Sequence, residues 1–218
     1  MNTQMYKLFF FPGSAAMAPH AALEEIGAPY ELIRVDLERG EQRAPAFLEV
    51  NPKGRVPVLV AGADVFTEAA AIILHLADRH PAAGLAPAPG TPGRGHLYEW
   101  LLYLSNTVQA TFLEYFYPEK QFDDAARRAE LKAAAERQLG FMFAHIDAHL
   151  GAGGPYLLGP TFSAADLFLH MVARWSRWLE KPAYRYANIK RCTDLVKVRP
   201  AVMRMMAAQG IVEQEKAP

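Results

Sequence analysis

Apolar positions divide the chain into two regions of different period. Tyr6 to Phe11 is aromatic and apolar apart from Lys7, the pattern of a buried strand, and Pro12-Gly13 ends it. From Ser14 onward Met17, Ala21, Leu23 and Ile26 recur at helical spacing, and Gly27 supplies the stop. Tyr30 to Leu37 reads as a second strand, 37 to 44 as a charged loop, and Pro45 to Val50 as a short helix. Asn51-Pro52-Lys53-Gly54 is a turn. Val56 to Val60 and Val65 to Phe66 are short strands joined by a hairpin connection, and Glu68 to Arg79 is a helix with Ile72, Ile73 and Leu76 on one side. The order is β-α-β-(α)-β-β-α within roughly 80 residues.

A stretch dense in proline and glycine follows, and everything after it has helical period. Helices are expected over 97–117, 125–150, from Ser163 through about Leu179, and near 188–198 and 200–208. The expected organisation is an α/β domain over 1–81, a linker over 82–95 and an all-helical domain over 96–218.

Charge and cysteine content narrow the function classes. Lys plus Arg and Asp plus Glu are 23 each, so the chain lacks the basic excess that phosphate binding needs, and no nucleic-acid partner is expected. The single cysteine, Cys192, cannot form an internal disulfide, which fits a reducing compartment. Its neighbours Lys190 and Arg191 would lower its pKa; the alternative is an inert helical thiol. The apolar run before Pro12 is too short for a signal segment, and no stretch reaches the ~20 apolar residues that span a bilayer, so a cytoplasmic protein without a membrane partner is expected. The histidines have no metal-ligand spacing, and no metal site is expected. The aromatic residues of the helical region, among them Trp100, Tyr115 and Trp175, are expected mainly in the core.

Four segments carry a resemblance. Asn51-Pro52-Lys53-Gly54-Arg55-Val56-Pro57-Val58-Leu59 resembles the N-P-x-G-x-V-P-x-L signature of cytosolic glutathione transferases. Phe66 to Ile72 resembles the L-x-E-S-x-A-I segment that follows it, and Phe162-Ser163-Ala164-Ala165-Asp166 resembles the capping-box segment of their helical domain. Pro12-Gly13-Ser14 through Ala18-Pro19-His20 is similar to the entry to the first helix in bacterial beta-class members. The order and intervals agree along nearly the whole chain. The resemblance implies an α/β plus all-α fold, a thioredoxin-like domain (βαβαββα) followed by an all-helical domain. It also implies a homodimer, glutathione as co-substrate, and conjugation of its thiol to small hydrophobic electrophiles. A glutathione-binding or scaffold protein with little turnover is the alternative. A thioredoxin-like oxidoreductase is disfavoured, because the chain has no C-x-x-C.

The candidate glutathione-binding residues are Ser14, Ala15, Val56, Pro57, Glu68, Ala69 and Asn106, the last as an added polar contact from the first C-terminal helix. A cis Val56-Pro57 bond would present the Val56 backbone to the cysteinyl unit. Glu68 would receive the γ-glutamyl ammonium, and the N–H groups at Glu68 and Ala69 its carboxylate; the plain alternative for Glu68 is a helix-end charge. Ala69 stands where many relatives have serine, which implies weaker binding. Beta-class relatives carry cysteine at the position of Ala15 and commonly serine at that of Ala16, and Gln109-Ala110 replaces their His-Lys pair. Ser14 is the hydroxyl left in that loop. It is the candidate catalytic residue as a donor to the thiol; the alternative is a cap on the first helix.

Overall fold

In the computed structural model the described residues are 5–212, and they form two units, one of 5–85 with 197–212 and one of 86–196. The first contains β1 (Tyr6–Phe10), α1 (Met17–Ile26), β2 (Tyr30–Arg34), α2 (Pro45–Val50), β3 (Val58–Ala61), β4 (Asp64–Thr67) and α3 (Ala69–Arg79). The strands make one mixed sheet in the order β2-β1-β3-β4, with β1 parallel to β2 and antiparallel to β3, and β3 antiparallel to β4. The crossover through α1 is what a parallel β1–β2 pair requires. This is the thioredoxin-like arrangement that the family resemblance implies.

Alternation along β1 supplies two cores. Phe9 meets the Phe47 ring of α2 at 5.8 Å and packs with Val35 and Val58 on one face. On the other, the Phe10 ring lies 6.4 Å from that of His20 in α1. Tyr6, Leu8 and Leu59 are buried in the sheet, as are Met17 and Leu23 of α1 and Ile72, Ile73 and Leu76 of α3. Gly27 ends α1 in the left-handed conformation, its N–H bonded to the Leu23 carbonyl.

This unit also includes α9 (Pro200–Ala208), which packs on α1 although it lies at the far end of the sequence. Arg199 grips Glu25 through two bonds of 2.5 and 2.9 Å, and Arg204 reaches Glu24 at 2.6 Å. The apolar residues Ala201, Val202 and Met205 are buried beneath them.

The second unit holds α4 (Pro92–Leu102), a π-helical stretch (Tyr103–Gln109), α5 (Ala110–Phe116), α6 (Ala125–Gly153), α7 (Ala164–Trp175) and α8 (Ala187–Lys197). α4 begins inside the stretch expected as a linker: Pro92 occupies the first turn and the Thr91 hydroxyl accepts the Arg94 N–H. α7 is the central helix, buried at every residue from Ala164 to Val172. Its capping box is present, with the Ser163 N–H 2.8 Å from the Asp166 carboxylate. Trp100, Tyr115 and Trp175 are buried, whereas Tyr117 is exposed. No described helix is long and apolar enough to cross a membrane.

Candidate functional site

Three chain reversals meet at one end of the sheet. The register pairs Phe9 with Val58 and Val58 with Thr67, so the end of β1, the start of β3 and the end of β4 are neighbours. The segment Pro12–Ala16 leaves the first, Val56-Pro57 enters the second and Glu68-Ala69 leaves the third. Adjacent strands lie about 4.8 Å apart, so these three ends span roughly 10 Å. The fold thereby brings together six of the seven expected binding residues, Ser14, Ala15, Val56, Pro57, Glu68 and Ala69. Asn106 belongs to the second unit, where it is exposed in the π-helical stretch and accepts the Ser105 hydroxyl at 3.3 Å.

The middle segment is built by a side-chain-stapled turn. Asn51 is buried; its amide donates to the Arg55 carbonyl at 2.7 Å and its oxygen accepts the Lys53 N–H at 3.1 Å. Gly54 has φ +61°, and a Cβ there would lie 2.9 Å from the Gln42 carbonyl oxygen, so this position needs glycine. The Val56-Pro57 bond is cis, and the ladder with β1 begins two residues after Val56, at Val58.

Glu68 heads α3 with φ +68° and ψ +114°, the one non-glycine residue among those described with positive φ. A residue of this kind rarely adopts such a conformation, and outliers of this sort gather at binding sites. Its side chain makes no cap to its own helix, so the bond to Lys53 Nζ at 2.8 Å is its contact, with Lys53 also 3.2 Å from the Thr67 hydroxyl. Both partners are more than half exposed, and such a surface pair adds little stability. Ala69, the first residue of α3, is buried and brings no hydroxyl.

The loop after β1 differs from the expected helix start. α1 opens at Met17, three residues after Ser14, and Ala16 in its cap position makes no side-chain cap. The Ser14 hydroxyl accepts the Ala16 N–H at 3.2 Å, a local turn bond that leaves its own proton to donate.

A polar row behind this loop was not apparent from sequence. His20 is fully buried, and burial, opposed by nearby Glu24, lowers its pKa to about 4. Its Nε2 lies 2.9 Å from the Tyr30 hydroxyl, and Tyr30 in turn donates a short bond to Glu24 Oε1. Burial, reinforced by Glu24, pushes the Tyr30 phenol upward, so it stays a donor. Burial alone would raise Glu24, but the bonds from Tyr30 and Arg204 outweigh it and hold the carboxyl below its ordinary value. On the other side, His20 Nδ1 lies 3.1 Å from Gln209 Nε2, and Gln209 Oε1 accepts the Gly13 N–H at 3.2 Å. Local pattern could mark His20 only as one of several scattered histidines; Lys53 was visible only as a motif position and Gln209 not at all.

Cys192 is not part of any site. It is fully buried, and burial, reinforced by Asp166, pushes its thiol far above the ordinary range despite Arg191. Of the two readings of this cysteine the inert one holds. Among the described residues no group of His, Cys, Asp and Glu is gathered closely enough to hold a metal ion.

Residues 4–78 match the family model "Glutathione S-transferase, N-terminal domain". Glutathione S-transferase GST-4.5 of Xanthomonas campestris pv. campestris is 30% identical over 170 residues, 78% of this chain and 82% of that protein. A sphingomonad glutathione S-transferase solved in complex with glutathione is 35% identical with a TM-score of 0.83, covering 94% of this chain and 100% of that one. A bacterial beta class glutathione S-transferase of Sphingomonas chungbukensis is 32% identical, also with a TM-score of 0.83 and the same coverage. With these likenesses extending over both units and the sheet end built as described, the chain belongs to the glutathione S-transferase family.

Proposed function

We propose that this sheet end binds glutathione and that the protein transfers its thiol to small hydrophobic electrophiles. The observation that carries the reading is the alignment of three strand ends under the positive-φ Glu68. Their span of roughly 10 Å is the length of an extended tripeptide. Val56, ahead of the β1–β3 ladder, offers its backbone to the cysteinyl unit. Glu68 takes the γ-glutamyl ammonium, and the first N–H groups of α3 hold the adjacent carboxylate against the helix dipole. The active form is a homodimer in the cytoplasm.

A free thiol, with a pKa near 8.5, is only a few per cent ionised at pH 7, so the site must favour the thiolate. Ser14 supports this with its uncommitted proton, and the backbone N–H groups at the entry to α1 add positive potential. A second reading, glutathione binding without turnover, is favoured by Ala15 and Ala16, which bring no polar side chain to the place where the thiol would sit.

Thermal unfolding with glutathione and steady-state assays against a panel of electrophiles separate the readings. Glutathione at a hundredfold excess over its Kd should add about 2.7 kcal/mol. Conjugation should accompany it, with Ser14→Ala slowing the rate about tenfold at pH 7 and less at pH 9, where the thiol ionises unaided. Stabilisation without turnover would establish the binding-only reading; no stabilisation at millimolar glutathione would remove both.

Glu68→Ala should weaken glutathione ten- to thirtyfold, about 1.5–2 kcal/mol for a charge-assisted contact. Its thermal stability without ligand should hardly move, because the exposed pair with Lys53 contributes little. Unchanged affinity by calorimetry would reduce Glu68 to a helix-end charge.

A further inference from the structure

The entry to α1 is held from behind by a residue 196 positions away in sequence. Gln209 is buried just beyond α9 and makes two bonds, accepting the Gly13 N–H and facing His20 Nδ1. The direction of every bond in this row is fixed by its far end. Glu24 accepts from Arg204 and from the Tyr30 hydroxyl. Tyr30, having given its proton to Glu24, accepts from His20 Nε2–H. His20 Nδ1 is then a lone pair and accepts from the Gln209 amide. That leaves Gln209 Oε1 toward Gly13, whose N–H it receives.

We propose that Gln209 is a positioning residue for the glutathione loop: it orients Gly13, one residue before Ser14, through an amide whose orientation is set by neutral His20. The proposal rests on the glutathione reading of the sheet end. Gly13 has φ +73°, so the turn it makes decides where Ser14 and the N–H groups of Ala15 and Ala16 point. α9 brings Gln209 there because Arg199 and Arg204 fasten that helix to α1.

Two substitutions test it. Gln209→Leu keeps the volume and removes both bonds; glutathione should bind roughly five- to tenfold more weakly, with a matching loss in kcat/KM. Gln209→Glu keeps the acceptor for Gly13 but cannot donate to His20 Nδ1. Its carboxylate is satisfied only when His20 carries a second proton, facing Tyr30 from β2, Glu24 from its own helix and Arg204 from α9. Affinity of this variant should therefore approach the wild type near pH 5.5 and fall away toward pH 8, a pH dependence that a packing role would not produce. If Gln209→Leu does not fold, the pH profile of Gln209→Glu alone decides. Wild-type affinity in Gln209→Leu, or a Gln209→Glu to wild-type affinity ratio independent of pH, overturns the proposal. Failure of the wild type itself to bind glutathione overturns the underlying reading instead.

Discussion

Asp166→Ala is expected to destabilise the protein by about 3–5 kcal/mol, because it strips the acceptor from three donors in a dry interior. The carboxylate receives the Leu157 N–H at 2.8 Å, the Ser163 N–H at 2.8 Å and the Ser163 hydroxyl at 3.0 Å, and the Cys192 thiol lies 3.8 Å away. It is itself fully buried at the start of the central helix α7. One side chain thus fastens the preceding loop, the helix entry and α8. An ordinary capping substitution costs about 1 kcal/mol; the excess here comes from the buried backbone N–H groups left without partners. Urea and thermal unfolding check it: for a chain of this length the melting temperature should fall by about 8–15 °C. Asp166→Asn should recover only part of the loss. Its oxygen can serve Leu157, but its NH2 then confronts the Ser163 N–H, donor against donor. A loss near 1 kcal/mol for the alanine variant would reduce the residue to a simple cap.

How far the sequence foretold these features depends on the range of the interactions behind them. The turn at 51–54 was legible because its own bonds lie within five residues, the Asn51 amide bonded to Arg55 and the glycine at positive φ, whereas the close approach of Gln42 to Gly54 was not. The Ser163–Asp166 box was legible for the same reason. The start of α4 carried a local signal, Thr91 followed by Pro92, but proline and glycine around it read equally as a linker. Ser14 shows the opposite limit. Helical spacing runs back to it in sequence, yet the chain makes two turns there and the helix opens only at Met17. The conformation of Glu68 had no signature, since glutamate is not a residue that seeks positive φ. The row from Gly13 to Arg204 was illegible because its members are drawn from β2, α1, the loop and α9. No periodicity links residues so far apart; only the packing of α9 on α1 does.

That row makes the first unit sensitive to acid. Folded His20 has its pKa lowered to about 4 by burial, against about 6.5 in an unfolded chain. The unfolded state therefore binds the extra proton more readily. The stability that neutral His20 confers is complete above pH 6.5 and is lost as pH falls toward 4, by about 3 kcal/mol at pH 4. The structural reason is visible in the bond directions. A second proton on His20 would sit on Nδ1, facing the Gln209 NH2, and turning that amide over would bring its NH2 against the Gly13 N–H. Glu24, 4.0 Å from Nε2, offsets only part of this, because its carboxylate is already engaged by Tyr30 and Arg204. Total stability is a poor readout, since Asp166 works in the reverse sense. Burial raises its pKa to about 6, opposed by its hydrogen bonds, so its contribution declines as pH rises from about 4 to 6. The two trends oppose each other across the same window. The difference between wild type and His20→Leu removes the Asp166 part, which is common to both. Unfolding free energies measured in urea should show the wild type's advantage over His20→Leu shrinking by about 3 kcal/mol between pH 7 and pH 4. A constant difference across that range would mean that His20 keeps one protonation state throughout, and that the orientation of Gln209 is set by packing rather than by the imidazole.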